Sequence, residues 1–206
     1  MSATPSEGVI KFKYNLKWTA PLEESSYIKI EKWRTILFKM NFIGEYLTEQ
    51  VGYGNLSCRQ NQTGNSFIIT GTQTGKHPNL DGSQYTKVQK CDLAKMSVDA
   101  IGPIAPSSES LTHFAIYKES PQINCVFHVH HPDLWRYMLD HDYDQTPENI
   151  DYGTHEMAAA AKICIGNKKK GIFVMAGHQD GIIAYASSAE EAGKVILDTL
   201  KESKTN

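Results

Sequence analysis

Apolar and polar positions alternate through residues 9–18, VIKFKYNLKW. The apolar side chains stand at every second position, at Ile10, Phe12, Tyr14, Leu16 and Trp18. Period two is the spacing of a strand with one buried face, and Pro21 follows as a stop. We therefore predict that residues 1–25 form an N-terminal strand or arm, which pairs with a sheet edge or with a neighbouring subunit.

Helical and strand-like patterns intermix along residues 26–206. Apolar residues spaced by three and four positions predict helices. These begin near Ser25, Ser107, Pro132, Thr154 and Ser188, and the first extends to about Gly44. Short apolar runs predict strands over 66–70, 123–129, 171–176 and 181–185, and residues 53–57 are predicted to form a turn. Several strand pairs have short connections, so we expect one α/β domain with a mixed sheet covered by helices.

The composition argues against a nucleic-acid-binding or membrane protein. The 206 residues are 40% apolar and 21% charged, with a formal net charge of −2. Such a chain can bury one good core, and its weak charge gives no electrostatic case for binding nucleic acid or an anionic membrane. The longest apolar run, 171–177, is far below the roughly 18–20 residues that span a bilayer. The N-terminus also lacks the apolar stretch of a secretory signal.

The cysteines give an expectation about the compartment. Their positions are Cys58, Cys91, Cys125 and Cys164, and no two of them form a CxxC pair. This spacing is not typical of a disulfide framework. We therefore expect reduced thiols in a cytoplasmic protein.

The segment CVFHVHHP, residues 125–132, holds three of the eight histidines. On a strand, His128 and His130 project to the same face, with Cα atoms roughly 6.5–7 Å apart. Two imidazoles at that separation can converge on one metal ion. His131 projects to the opposite face or enters the following turn, so it is not expected to join them. Taken alone, the pair is also compatible with buried histidines that only satisfy hydrogen bonds.

Two other residues strengthen the metal hypothesis. His178 lies in a polar loop directly after an apolar strand, where it could supply a third ligand. Glu109 lies beside serines at a predicted helix start. Histidines with a carboxylate are the ligand set of catalytic zinc or a similar divalent ion, with an open position left for substrate.

Three short segments are candidates for binding an anion. They are Gly54-Asn55, Thr74-Gly75 and Ser107-Ser108. Each offers small side chains, hydroxyl or amide groups and backbone N–H groups, and the serine pair stands at a predicted helix N-terminus, where an anion is favoured. Each segment alone is more typical of an ordinary turn or cap, and the spacing does not show that they meet.

Together these segments resemble the class II aldolase/adducin family, whose members include L-fuculose-1-phosphate aldolases. The resemblance rests on GNLS at 54–57, ITGTQTG at 69–75, PSSE at 106–109, HVH at 128–130 and the loop with His178. It covers about residue 30 to residue 200, so it leaves the N-terminal segment out. It implies a three-layer α/β/α fold, in which a central mixed, largely antiparallel sheet is covered by helices on both faces.

The resemblance also implies roles for individual residues. His128, His130 and His178 match the metal ligands, and Glu109 matches a catalytic acid/base that can occupy the open metal position in the absence of substrate. The substrate phosphate would be bound by Gly54, Asn55, Thr74, Gly75, Ser107 and Ser108. One divalent ion per chain is implied, usually Zn²⁺, although Mn²⁺, Co²⁺ or Fe²⁺ also accept these ligands. Members of the family are commonly homotetramers.

These roles imply a metal-dependent lyase that acts on a sugar phosphate, by retro-aldol cleavage through a metal-stabilised enediolate. The same site could serve a sugar-phosphate dehydratase or a 4-epimerase. A different hypothesis is a non-catalytic scaffold domain like that of adducin, although such a domain has no need to keep Glu109 and all three histidines. A metallohydrolase would need only the histidines and would leave the serine and Thr-Gly segments unexplained.

Overall fold

The computed structural model describes residues 8–61 and 64–205, and within them the chain forms one large sheet with helices on both faces. The strands are β1 (Lys13–Trp18), β2 (Gly44–Tyr46), β3 (Val51–Tyr53), β4 (Asn55–Arg59), β5 (Phe67–Thr70), β6 (Tyr85–Asp92), β7 (Ser97–Gly102), β8 (Cys125–His130), β9 (Gln145–Thr146), β10 (Gly171–Met175) and β11 (Gly181–Ala186). The helices are α1 (Glu24–Lys39), α2 (Ser110–Glu119), α3 (Pro132–Asp140), α4 (His155–Ile165) and α5 (Ala189–Ser203).

Nine of the strands form the main sheet, in the order β1-β7-β6-β5-β4-β8-β11-β10-β9. Only the two edge strands pair in parallel, β1 with β7 and β9 with β10. The inner pairs are antiparallel, as short connections allow. Strands β2 and β3 form a separate hairpin. The predicted mixed, largely antiparallel sheet is therefore confirmed.

Two apolar cores lie on opposite faces of the sheet. Helices α1, α3 and α5 pack over one face and helices α2 and α4 over the other. All six residues of β8 are buried, and they alternate between the cores: Phe127 and Val129 belong to the first and Val126 to the second. Since side chains two apart share a face, His128 and His130 project with Val126 toward α2 and α4.

Two predicted helix starts are confirmed at atomic detail. The Thr154 side chain accepts a hydrogen bond from the Met157 backbone N–H at 3.2 Å. The Ser188 side chain does the same for Glu191, also at 3.2 Å. Each bond satisfies an N–H group that has no partner within its own helix.

The first helix and the turn after it were predicted wrongly. The helix ends at Lys39 rather than near Gly44, because Asn41 adopts a left-handed conformation with φ of 60° and redirects the chain into β2. The predicted turn at 53–57 includes the start of β4 at Asn55. Its small and polar residues suggested a surface turn, but the side chains of Asn55 and Ser57 have buried polar partners within the fold.

The expectation of four reduced thiols is also wrong. Cys58 on β4 stands opposite Cys125 on β8, and the two form a disulfide across a sequence separation of 67. Cys91 and Cys164 are free and buried. The pairing follows from strand register, which the spacing of the cysteines in the sequence does not reveal.

None of the helices within residues 8–61 and 64–205 is both long enough and apolar enough to cross a bilayer.

Candidate active site

Three buried histidines meet where β8 ends and the loop between β10 and β11 begins. His128 and His130 come from β8, and His178 comes from the loop. One ring nitrogen of each lies within 4.8 Å of the others. The Nε2 atoms of His128 and His130 are 2.8 Å apart. These three residues are called the histidine cluster below.

The pairing of β8 with β11 explains how the loop histidine reaches the strand pair. Gly181, the first residue of β11, lies opposite His130 in the register. A Cβ atom at Gly181 would lie only 2.5 Å from Cδ2 of His178 and 3.2 Å from Cε1 of His128. Glycine is therefore needed here for the imidazoles to approach, because any other side chain would separate them.

Glu109 places a carboxylate beside the cluster. It is the residue before α2 and is 1% exposed. Its Oε2 lies 3.2 Å from Nε2 of His128 and accepts a hydrogen bond from Nδ2 of Asn55 at 3.0 Å. Asn55 stands opposite His128 in the pairing of β4 with β8. Neighbouring strands and one helix start thus bring the carboxylate, the amide and the imidazole together.

The electrostatics of the cluster favour a neutral His128 imidazole. Burial holds the pKa of His128 well below its ordinary value, and the nearby rings of His130 and His178 act in the same direction. A neutral imidazole is the form that binds a metal ion, because a proton and a metal compete for the same nitrogen.

The β2–β3 hairpin orients one histidine of the cluster. The Tyr46 hydroxyl lies 2.9 Å from Nδ1 of His130, and the rings of Tyr46 and Tyr53 lie 6.0 and 5.3 Å from the His130 ring. A hydrogen bond at Nδ1 fixes the ring and directs Nε2 toward the cluster. Sequence analysis missed Tyr46, because strands of three residues leave no recognisable pattern.

The six residues predicted to bind phosphate line one pocket. It is bordered by Gly54, Asn55, Thr74, Gly75, Ser107 and Ser108, together with Gly8, Gly52, Gly71, Thr72 and Gln73. This polar pocket is called the anion pocket below. Gly54 has a φ of 81°, and a Cβ at Gly75 would lie 2.4 Å from the Gly44 carbonyl oxygen. Both positions therefore need glycine for the backbone to take this course.

A buried arginine on α1 holds the loop that supplies Thr74 and Gly75. Arg34 is 1% exposed, and its guanidinium donates to the carbonyl oxygens of Thr74 at 2.9 Å and His77 at 2.6 Å. Longer contacts of 3.4 Å reach the carbonyl oxygens of Gly75 and Pro78. Sequence analysis missed this role, because Arg34 lies within an ordinary helical pattern.

The two halves of the site are continuous. Asn55 borders the anion pocket and its amide also donates to Glu109. His131, which was not expected to be a ligand, lies outside the cluster and accepts a hydrogen bond from the Leu134 backbone N–H at the start of α3.

The donor set fits a divalent cation. Three imidazole nitrogens converge within 4.8 Å in a buried place, and a carboxylate oxygen lies 3.2 Å from one of them. Imidazole and carboxylate are the ligands that zinc and related first-row ions accept, typically three protein ligands with one position for substrate. A buried carboxylate in contact with imidazoles is also best stabilised by positive charge.

Comparison with known proteins identifies the family of the chain. The family model of the Class II Aldolase and Adducin N-terminal domain matches residues 41–201. No curated protein matches the chain. L-Fuculose-1-phosphate aldolase from Thermus thermophilus is similar in structure, with a TM-score of 0.67 at 16% identity over 89% of this chain and 93% of that one.

Two further solved structures have the same fold. A sugar-phosphate aldolase from Thermotoga maritima gives a TM-score of 0.68 at 16% identity, over 88% of this chain and 93% of that one. YgbL from Escherichia coli, described as a candidate aldolase, epimerase or decarboxylase, gives 0.68 at 17% identity over 88% of both chains. Because the family model covers most of its length, the chain belongs to the class II aldolase and adducin family.

Proposed function

We propose that the protein is a divalent-metal-dependent lyase that cleaves a sugar phosphate by a retro-aldol reaction. The observation that carries the proposal is the continuity of the site. Asn55 borders the anion pocket and donates at 3.0 Å to Glu109, which in turn lies 3.2 Å from His128 of the histidine cluster. A substrate bound by an anionic end in the pocket would present its carbonyl end to the cluster and the carboxylate.

His128, His130 and His178 would hold the ion, most suitably Zn²⁺, with Mn²⁺, Co²⁺ or Fe²⁺ as alternatives. When bound, such an ion polarises a substrate carbonyl and offsets the negative charge that develops on its oxygen during cleavage. The protein contributes the buried surroundings of the three ligands, where electrostatic stabilisation is stronger than in water.

Glu109 would be the catalytic acid/base. Breaking the carbon–carbon bond leaves an electron pair next to the carbonyl, and that carbon must gain a proton before the product leaves. The hydroxyl group on the other side of the broken bond loses its proton to water or to a base as it becomes the aldehyde of the second fragment. The Glu109 carboxyl group lies beside the cluster and could deliver the proton that the carbon gains. The Asn55 amide holds Oε2 in place beside the cluster.

The anion pocket would hold the substrate phosphate. Gly54 and Gly75 border it with their backbone, and Ser107 and Ser108 offer hydroxyl groups. The Thr74 hydroxyl, which donates to the Gly71 carbonyl oxygen at 2.9 Å, would have to turn to donate to the phosphate. Binding at this remote end would position the reacting carbons and so lower the entropic part of the barrier.

Metal removal tests the proposal. Purified protein should contain close to one divalent ion per chain by elemental analysis, and dialysis against a chelator should abolish cleavage of candidate phosphorylated ketoses. Zinc added back should restore it. Equal cleavage rates for the metal-free and metal-loaded protein would contradict the mechanism.

Identification of the products separates the alternatives on the same site. A retro-aldol enzyme yields two fragments, a dehydratase releases water from an intact carbon chain, and a 4-epimerase inverts one centre. YgbL, with its several candidate activities, has the same fold, so the fold alone does not choose among these reactions. A non-catalytic scaffold like adducin would bind partners and turn over no sugar phosphate.

We further propose that the protein is a homotetramer, which sizing would check. A cytoplasmic location is also proposed, although the Cys58–Cys125 disulfide removes the argument from reduced thiols; cell fractionation would check it.

A further inference from the structure

The N-terminal part of the chain also contacts the candidate site. Residues 8–12, which precede β1 and are called the pre-strand segment below, lie outside the region matched by the family model at 41–201. The segment contacts both halves of the site. The match to the family model therefore assigns no role to this segment.

One contact fastens the segment next to the histidine cluster. The Tyr152 hydroxyl accepts a hydrogen bond from the Val9 backbone N–H at 3.1 Å and donates to the Val9 carbonyl oxygen at 3.2 Å. The Tyr152 ring is buried and lies 5.0 Å from the His178 ring. One side chain thus joins the segment to a predicted metal ligand.

A second contact closes the anion pocket. Gly8 borders the pocket with a φ of 74°, and a Cβ there would lie 1.8 Å from Nε2 of Gln73. The other end of the Gln73 amide accepts a hydrogen bond from the Gly52 backbone N–H at 2.9 Å. Gly8 and Gln73 therefore pack against each other across the pocket border.

The pre-strand segment also contains a positively charged residue, Lys11. Lys11 Nζ lies 4.0 Å above the centre of the Tyr152 ring and 3.2 Å from Oδ2 of Asp151. Gly153 lies between Lys11 and Ser108. A Cβ added at Gly153 would be 3.3 Å from the Ser108 carbonyl oxygen and 4.0 Å from Cβ of Lys11, so the two residues are close neighbours across this glycine. The long, flexible Lys11 side chain can therefore reach the side of the anion pocket that is bordered by Ser108.

Lys11 could supply the positive charge that a bound phosphate requires. None of the described residues that border the anion pocket is basic, although a phosphate carries one to two negative charges near neutral pH. The present partner of Lys11, Asp151, has a side chain that is 67% exposed. An ion pair with such an exposed partner contributes little stability. Transfer of the ammonium group to a substrate anion would give up this pair and the contact with the Tyr152 ring, and would replace them with a charge-assisted contact to the anion.

We propose that the pre-strand segment forms one wall of the substrate site and that Lys11 binds the anionic end of the substrate, as a specificity-determining residue. The inference rests on the proposed function, since it assigns a further residue to the same anion pocket. Lysine binds phosphate as a compact point charge.

Calorimetric titration of the zinc-loaded protein with inorganic phosphate tests this role. Lys11→Met should weaken phosphate binding about tenfold, since it removes one charge-assisted contact. The matched control is Lys17→Met, which removes the same charge from an exposed position on β1 and should leave the phosphate affinity within about twofold of the wild type. Zinc content should be unchanged in both variants, which excludes a general loss of structure.

Hydrogen exchange gives a second, independent readout. Phosphate should slow amide exchange in residues 8–12 of the wild-type protein, as well as in the pocket loop 71–75. Tyr152→Phe removes the two hydrogen bonds to Val9 while keeping the ring, so it should weaken phosphate binding several-fold at unchanged zinc content.

The outcomes separate this inference from the proposed function. If phosphate binds and protects 71–75, but Lys11→Met binds it as well as the wild type and exchange in 8–12 is unaffected, the role of the segment is refuted and the anion pocket stands. If the wild-type protein does not bind phosphate at all, both are refuted.

Discussion

The histidine cluster and the anion pocket share a border at Asn55, yet they are built by different means. The cluster consists of side chains, two of them on one strand, with positions set by the pairing of β8 with β4 and β11. The pocket consists largely of backbone from separate turns, together with small side chains. The cluster therefore depends on which residues are present, whereas the pocket depends on the course of the chain.

The two regions also differ in what supports them. The cluster is held by its own sheet and by the Tyr46 hydroxyl at 2.9 Å from His130. The loop of the pocket is held from behind by α1, where Arg34 donates to loop carbonyl oxygens and Glu31 accepts from the Leu80 backbone N–H at 2.9 Å. Substitutions in the two supports should therefore have separable effects, one on metal binding and the other on anion binding.

The largest effect should follow from removing a ligand of the cluster. His128→Ala should reduce the bound metal to background and lower kcat/KM about 10⁴-fold, because a Lewis acid supplies several kcal/mol of transition-state stabilisation. Elemental analysis and steady-state rates measure both. His141→Ala, at an exposed histidine after α3, is the control. Full metal content in His128→Ala would show that the cluster is not the metal site.

Removing Arg34, which supports the loop of the anion pocket, should mainly lower the stability of the fold. Arg34→Met should lower the free energy of unfolding by about 3 kcal/mol, because several buried carbonyl oxygens lose a charged donor. Phosphate affinity should fall, while the metal content of the folded fraction stays near one per chain. Urea unfolding and phosphate titration measure the two effects. Arg136→Met, at an exposed arginine, should change the unfolding free energy by no more than about 0.5 kcal/mol. Loss of metal in Arg34→Met would contradict the proposal that the histidine cluster and the anion pocket are supported independently.

The same difference explains what could be predicted from the sequence. The apolar run that predicts a strand at 123–129 corresponds to β8, Cys125–His130, and His128 and His130 share one face of it as expected for residues two apart. The convergence of the turns at Gly54 and Thr74 depends on strand order, which no local pattern contains, so only the resemblance to a family grouped them. Arg34, Tyr46 and the Cys58–Cys125 disulfide were missed because each acts through a long-range contact.

A smaller effect should come from the hydrogen bond that orients His130. Tyr46→Phe keeps the ring but removes the hydroxyl at Nδ1, and loss of such a partner typically lowers metal affinity about 10- to 100-fold. Competition with a zinc chelator measures this. Phosphate affinity should not change beyond the effect of metal occupancy. Tyr14→Phe, at a tyrosine that is 48% exposed on β1, should bind zinc like the wild type. Unchanged zinc affinity in Tyr46→Phe would mean that the sheet alone positions His130.

The smallest effect concerns a buried histidine outside the cluster. His113 on α2 is fully buried, and its Nδ1 lies 2.7 Å from Oγ of Ser57. Burial lowers its pKa to about 3. In the unfolded chain the pKa returns to about 6.5, so between pH 6.5 and 3 the unfolded state binds more protons than the folded state. The stability from a neutral His113 is therefore complete above pH 6.5 and is lost as the pH falls toward 3.

Urea unfolding between pH 7 and 4.5, on metal-free protein, tests this dependence. His113→Gln cannot titrate, so its unfolding free energy should fall less steeply than that of the wild type, by about 1.4 kcal/mol per pH unit at pH values well below 6.5. His141→Gln, at an exposed histidine, should keep the wild-type slope. The titrating groups other than the substituted histidine are the same in all three proteins, so their contribution cancels in the comparison. Equal slopes for His113→Gln and the wild type would contradict the prediction, because the acid sensitivity would then arise from groups other than His113.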